Sequence, residues 1–207
     1  MKNKQGFTII EAVLVIAIAG LLFLAIAIAI PALIRSQRDT DRRRDVNSLI
    51  TKVQEYQANN RKALPGIGTA NTLFYQAQAT TRFQSTITND WTGFFNNDLP
   101  NIYYDSAGNF HNNFEDPNGN LYQFSIVPCA TSEVGSSCNN TLYQKDASGS
   151  KDQISKFFEA KFPNNYTMLI VLNAKCQSSN KIIAAPGNKN LAILYKLETN
   201  DTYCANN

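Results

Sequence analysis

Glu11 stands directly before Ala12–Ile34, a run in which every residue except Gly20 and Pro31 is Ala, Val, Leu, Ile or Phe. A carboxylate inside a membrane segment costs roughly 2.5–3.5 kcal/mol at the centre and less at an edge. Such a group either reaches the headgroup interface or meets a cation in the same layer. Phe7 offers a route to the second outcome. A cut after Gly6 would leave a new α-amino group on Phe7, and residues 7 and 11 are i and i+4 on one helix face. The ammonium of one copy would then neutralise Glu11 of its neighbour and fix the axial register of helices packed side by side. The residues alone leave both outcomes open.

The four cysteines, Cys129, Cys138, Cys176 and Cys204, all lie far beyond that run. An even count confined to one part of the chain points to two disulfides in an oxidising compartment. Three connectivities exist. Cys129–Cys138 and Cys176–Cys204 are expected, because each closes a loop beside an expected strand. A zinc site is disfavoured, since there is no C-x₂-C pair and His111 is the single histidine. The search for catalytic patterns finds no H-E-x-x-H, G-x-S-x-G or P-loop. Gly66-Ile67-Gly68 lacks the third glycine of a nucleotide-binding turn. No enzyme, cofactor or metal is expected. A membrane-tethered enzyme is the weak rival, and a single-pass membrane-anchored extracellular binding domain the stronger one.

The elements that must position these residues follow from the pattern. Of the 207 residues 43% are hydrophobic and 17% charged, against a usual charged share of about 25%. The net charge of +3 is too mild to imply nucleic acid as a partner. As a helix, Ala12–Ile34 covers about 35 Å, enough to cross a hydrocarbon core of roughly 30 Å. Residues 25–30 alternate Ala and Ile with the period of a strand, but a lone strand in lipid leaves its backbone unpaired, so the helix prevails. A cleaved secretory signal is disfavoured by the length of the run and the lack of an A-x-A exit. No second long apolar run follows, so a polytopic membrane protein is not expected.

Past Ile34, Val46, Leu49, Ile50, Val53 and Tyr56 recur at helical spacing as one apolar stripe. Asn59-Asn60 and Pro65-Gly66 mark the stop. One helix from Phe7 to about Lys62 would be about 84 Å long. Its first half suits lipid or copies of itself, and its second half suits a globular layer. Arg42-Arg43-Arg44 reads as a solvated face or a headgroup contact. Without interleaved aromatic residues it carries no specific nucleic-acid site.

Beyond Ala63, short helices are expected near Asn71–Gln84 and Asp90–Asn96, and an amphipathic helix over Asp152–Phe162. Strands are expected at Leu121–Pro128, Tyr166–Leu172, Lys181–Ala185 and Leu191–Leu197. A four-stranded, mostly antiparallel sheet packed on the helical stripe gives an α+β fold. Asp116-Pro117-Asn118-Gly119-Asn120 is a turn entering a strand. Sequons at Asn139, Asn165 and Asn200 mark surface positions only.

Gly6-Phe7-Thr8-Ile9-Ile10-Glu11, preceded by a short basic leader and followed by the apolar run, resembles the class III signal of type IV pilins and pseudopilins. The resemblance covers residues 1 to about 62. It implies the type IV pilin fold, in which a long N-terminal helix, first transmembrane and then amphipathic, packs on a small sheet. It implies a leader over 1–6, a membrane and filament-core segment over 7–34, an amphipathic continuation over 35–62 and a globular head over 63–207. A prepilin peptidase would cut between Gly6 and Phe7 and N-methylate Phe7, and Glu11 would serve assembly. The partners implied are further copies in a helical filament, the peptidase, the inner-membrane pilus assembly machinery and the membrane. The subunit would rest in the cytoplasmic membrane with its N-terminus inside, and afterwards in an extracellular pilus that supports adhesion, twitching motility or DNA uptake. A pseudopilin of a type II secretion-like system is the alternative. Lys2 and Lys4 fit an inside N-terminus, but Arg35, Arg38, Arg42, Arg43 and Arg44 follow the span, and charge counting by itself favours the reverse. Gly20 matches the family's glycine, whereas its proline lies three residues before Pro31. The stretch from Gly20 to Pro31 is expected to lose helical form in the fibre. Asp116-Pro117-x-Gly119-x-x-Tyr122 resembles a stretch before the sheet in several pilins and major pseudopilins; in some relatives nearby carboxylates and carbonyls bind calcium, and Asp116 and Glu115 are the residues here that would invite it. A plain turn is expected here, because the regular carboxylate spacing of a calcium loop is missing.

Overall fold

Helix α1 (Ile9–Asn59) contains 51 residues and runs through both Gly20 and Pro31. The computed structural model describes residues 8–66, 73–76, 90–129, 134, 138, 166–179, 181–187, 189–199 and 201–207. The processing pair Gly6 and Phe7, the expected helix Asp152–Phe162 and the three sequon asparagines lie outside these residues. The chain divides into two compact units, Met1–Arg38 and Asp39–Asn207.

In the first unit, every Val, Leu, Ile and Phe from Ile9 to Ile34 is exposed. A helix apolar on all sides suits lipid or copies of itself. It is long and apolar enough to cross a membrane.

The second unit begins on the same helix, where the buried positions narrow to one stripe: Asp39, Arg42, Val46, Leu49, Ile50, Val53 and Gln57. Steps of three and four residues keep them on one face. Val46, Leu49 and Val53 are fully buried, each worth about 1.5–3 kcal/mol. Helix α2 (Asp90–Asn97) adds Trp91, Phe94 and Phe95 to the same core. Phe95 stacks on Phe124 at 4.5 Å, and Tyr56 of α1 meets Phe94 edge-on at 5.7 Å.

The main sheet has five strands: β1 (Leu73–Gln76), β4 (Gln123–Pro128), β5 (Thr167–Leu172), β8 (Leu191–Lys196) and β9 (Thr202–Asn206), in that spatial order. All neighbouring pairs are antiparallel except β4–β5. Two small hairpins complete it: β2 (Ile102–Tyr104) with β3 (Phe110–Asn112), and β6 (Ala174–Ser178) with β7 (Lys181–Ala184). The central strands β5 and β8 are buried throughout. Met168, Ile170, Ile193 and Tyr195 face the core shared with α1, while Leu169, Val171, Ala192 and Leu194 face a second cluster behind the sheet. The β6–β7 hairpin covers that second face with Ala174, Ile182 and Ala184. Burial on both faces explains why these strands read as continuous apolar runs instead of alternating ones.

The α+β class with a long helix on a mostly antiparallel sheet is as expected, and three details are not. The sheet has five strands, not four. Lys181–Ala184 leaves the main sheet and pairs with Ala174–Ser178, because Asn173 at φ 56° turns the chain back directly after β5. The helix expected over Asn71–Gln84 is not formed at Leu73–Gln76, which pairs as an edge strand with β4. Leu-Phe-Tyr-Gln carries β-favouring aromatic residues, and four residues hold too little periodicity to decide between the two.

Candidate functional site

Glu11 occupies the third position of α1, and Thr8 precedes the helix as its N-cap. The Thr8 N–H and hydroxyl both donate to Glu11 Oε2, at 3.0 and 2.9 Å. The Glu11 N–H points back to Thr8 Oγ1 at 3.4 Å. This reciprocal pair is a capping box, which satisfies backbone donors that a helix start otherwise leaves open. Oε1 of Glu11 has no partner among the described residues. One carboxylate oxygen thus holds the helix start. The Thr-x-x-Glu spacing before an apolar run was the sequence signal for this cap, and the expectation for Glu11 passed over it.

Gly20 sits in the middle of the exposed apolar helix. A Cβ built there would meet nothing within 4 Å, so no close approach within the chain requires glycine. Pro31 lies inside the helix, where it has no N–H to donate to the preceding turn.

A second charged centre lies in the unit Asp39–Asn207. Arg42 is fully buried. Its Nη1 contacts Asp39 at 3.0 Å, and its Nη2 contacts Asp116 at 3.0 Å and Glu198 at 2.9 Å. Burial by itself would lower the Arg42 pKa, but the hydrogen bonds it donates to Asp116, Glu198 and Asp39 hold the guanidinium above its ordinary value and charged. Asp39 also accepts the Glu198 N–H at 2.9 Å and the Thr199 hydroxyl at 3.3 Å. Asp116 organises its own turn, accepting the N–H groups of Asn118 at 2.9 Å and Asn120 at 3.3 Å, with Gly119 at φ 80° closing it. One guanidinium therefore ties α1, the 116–120 turn and the end of β8 together.

Here the sequence reading is corrected. Arg43 and Arg44 are exposed, as a solvated face requires, but Arg42 belongs to the buried stripe. The signal was its spacing: Asp39, Arg42 and Val46 extend the 46-49-50-53 pattern by one turn in each helical step. The turn at Asp116 is formed as expected, and its carboxylate is engaged by Arg42. No group of three or more His, Cys, Asp or Glu side chains with metal-holding geometry occurs among the described residues.

One turn further along α1, Asp45 accepts the Tyr122 hydroxyl at 2.6 Å. Burial raises the Asp45 pKa, and the Tyr122 hydrogen bond opposes that rise. Burial likewise pushes the Tyr122 and Tyr195 phenols far up, so both stay protonated. On the hairpin β2–β3, Asp105 accepts the Asn109 side-chain amide at 2.9 Å, His111 Nε2 at 3.0 Å and the Asn109 N–H at 2.8 Å, which lower its pKa. Two disulfides, Cys129–Cys138 and Cys176–Cys204, both pack in or against the cluster behind the sheet.

Residues 1–27 match the family model of the prokaryotic N-terminal methylation motif, the class III signal of type IV pilins. Neither a curated protein nor a solved structure matches the chain. The motif marks a pilin- or pseudopilin-like precursor, a prepilin peptidase substrate and a membrane-associated assembly system. With the apolar helix that follows, it supports membrane anchoring.

Proposed function

We propose that the chain is a structural subunit of a type IV pilus. Its leader ends at Gly6, its mature chain begins at an N-methylated Phe7, and its N-terminal helices stack in the core of a helical filament. The exposed apolar helix carries this reading. Every Val, Leu, Ile and Phe from Ile9 to Ile34 is exposed, and Oε1 of Glu11 has no partner among the described residues. Within lipid the helix would be satisfied alone, but Glu11 would not. Side-by-side packing satisfies both: apolar faces meet, and the Phe7 ammonium of one copy meets Glu11 of the next. A charge-assisted contact of that kind is stronger than a neutral hydrogen bond and sets the stagger between copies.

Gly20 and Pro31 support a local extension of the helix between them in the fibre. Glycine weakens one end of the segment and proline removes a hydrogen bond at the other. The two disulfides suit a head held in an oxidising compartment beyond the cytoplasm. The test is expression with the cognate assembly machinery, as wild type and as Glu11→Ala, read by electron microscopy. Fibres from wild type and none from Glu11→Ala are expected. Normal fibres from Glu11→Ala would overturn the pairing.

A further inference from the structure

The β6–β7 hairpin lies behind the main sheet as a ladder of its own, and among the described residues no strand ladder joins it to β8 or β9. Three of its side chains, Ala174, Ile182 and Ala184, pack in the cluster with Leu169, Val171, Ala192 and Leu194. One isoleucine and two alanines bury little apolar area, so this packing by itself holds the hairpin weakly. Its base is fixed by hydrogen bonds. The Ala185 N–H donates to the Asn173 carbonyl at 2.7 Å, and Asn190 Nδ2 donates to the Ala185 carbonyl at 2.9 Å. On the β7 side the Cys138 N–H donates to the Ile182 carbonyl at 3.1 Å. On the β6 side the tie is covalent, from Cys176 to Cys204 of the edge strand β9.

The two disulfides differ in access. Cys138 is 1% exposed and Cys129 9%, and the Cys129 N–H is held by the Leu172 carbonyl at 2.9 Å. Cys176 and Cys204 are only half-buried and pack against the cluster from its margin. The pairing of β6 with β7 also shifts register between Cys176 and Ser178, so the regular ladder is interrupted directly beside Cys176. Thiol–disulfide exchange requires a thiolate to reach one of the two sulfurs, and exposed disulfides are the labile ones.

We infer that Cys176–Cys204 is a redox latch on the β6–β7 hairpin, opened by a dithiol reductant while Cys129–Cys138 stays closed. A thiolate of the dithiol attacks one sulfur of the pair, forming a mixed disulfide and expelling the other sulfur as a thiolate, which takes up a proton. The second thiol of the reductant loses its proton and displaces the remaining protein sulfur, which is protonated in turn. The dithiol ends as a disulfide, oxidised by two electrons, and the chain holds two thiols. β6 then has no covalent tie to β9, and the hairpin swings on its base and uncovers Leu169, Val171 and Leu194. The latch lies wholly within the unit Asp39–Asn207 and does not depend on filament assembly.

The test is graded reduction of the full chain in detergent micelles with dithiothreitol, without denaturant. Samples are quenched with iodoacetamide and mapped by peptide mass spectrometry, with amide hydrogen exchange read in parallel. Cys176 and Cys204 should be alkylated about tenfold sooner than Cys129 and Cys138. Exchange over residues 174–184 should rise with that alkylation, while β5 stays protected and the near-ultraviolet circular dichroism of the Trp91 core is unchanged. Cys176→Ser/Cys204→Ser should show the raised exchange with no reductant present. Reduction of both disulfides at one rate overturns the inference. So does a hairpin that stays protected once Cys176 and Cys204 are alkylated. Loss of the Trp91 signal in the same step also overturns it, since that is unfolding of the head and not opening of a latch.

Discussion

Replacing Arg42 by Met keeps the volume of the side chain and removes the charge that three carboxylates share. Asp39 and Asp116 are almost wholly buried and Glu198 is mostly so, with side-chain exposures of 3%, 1% and 16%. Removing one partner of a buried ion pair costs about 3–5 kcal/mol, because the remaining charges stay buried without compensation. Here at least two carboxylates are left so, and the upper half of that range is expected. For a unit of this size each kcal/mol lowers the melting temperature by about 2–4 °C, so a fall of roughly 8–20 °C follows. Arg42→Lys should recover only part of it. One ammonium cannot reproduce the fork that places Nη1 on Asp39 and Nη2 on Asp116 and Glu198. The assay is near-ultraviolet circular dichroism of the full chain in detergent, which follows the aromatic core of Trp91, Phe94 and Phe95 and not the apolar helix. Pairing Arg42→Met with Asp116→Asn should give a smaller loss than the two single losses added. A loss below about 1 kcal/mol for Arg42→Met would show that the centre does not hold α1 to the head, and would refute the reasoning.

Four further outcomes are expected. Cys176→Ser/Cys204→Ser opens a loop with a sequence separation of 28 and Cys129→Ser/Cys138→Ser one of 9. The chain-entropy relation gives losses of about 3.6 and 2.7 kcal/mol, measured by denaturant unfolding, and the order of the two losses is the checkable claim. Burial raises the pKa of Asp45 in the folded state, so its contribution is complete below the ordinary aspartate value and is lost as pH rises through the raised one. Asp45→Asn should flatten that part of the melting-temperature profile, and a profile unchanged by it would contradict the assignment. Glu11→Gln retains the cap on Thr8 but loses the charge, so it should assemble no better than Glu11→Ala; fibres from Glu11→Gln alone would mean that the cap, not the charge, is what assembly needs. Calcium or its chelation should leave the melting temperature unchanged, because the Asp116 carboxylate is engaged by Arg42 and its own turn.

The parts of the fold that periodicity decides were legible from the residues. Val46, Leu49, Ile50 and Val53 repeat often enough to fix a helix face, and the apolar runs at 166–172 and 191–197 are short enough to read as strands; their burial on both faces is a finding of the structure. Short elements were not legible. Leu73–Gln76 and Ala174–Ser178 are strands because of what they pair with, β4 and β7, and pairing is a tertiary fact. Nor was the burial of Arg42 expected, since three adjacent arginines look alike until helical phase separates the first from the other two. At the start of α1 the opposite fault occurred. The Thr8–Glu11 spacing carries a capping box within one chain, whereas the sequence reading considered only a cation in the same layer or the headgroup interface as partners for Glu11.

The central claim is that this chain is cut to expose an ammonium at the same end of the helix as Glu11. The most direct measurement is intact and N-terminal-peptide mass spectrometry of the chain produced beside its prepilin peptidase. A chain that begins at N-methylated Phe7 is predicted. A mature protein that still begins at Met1 would contradict the account.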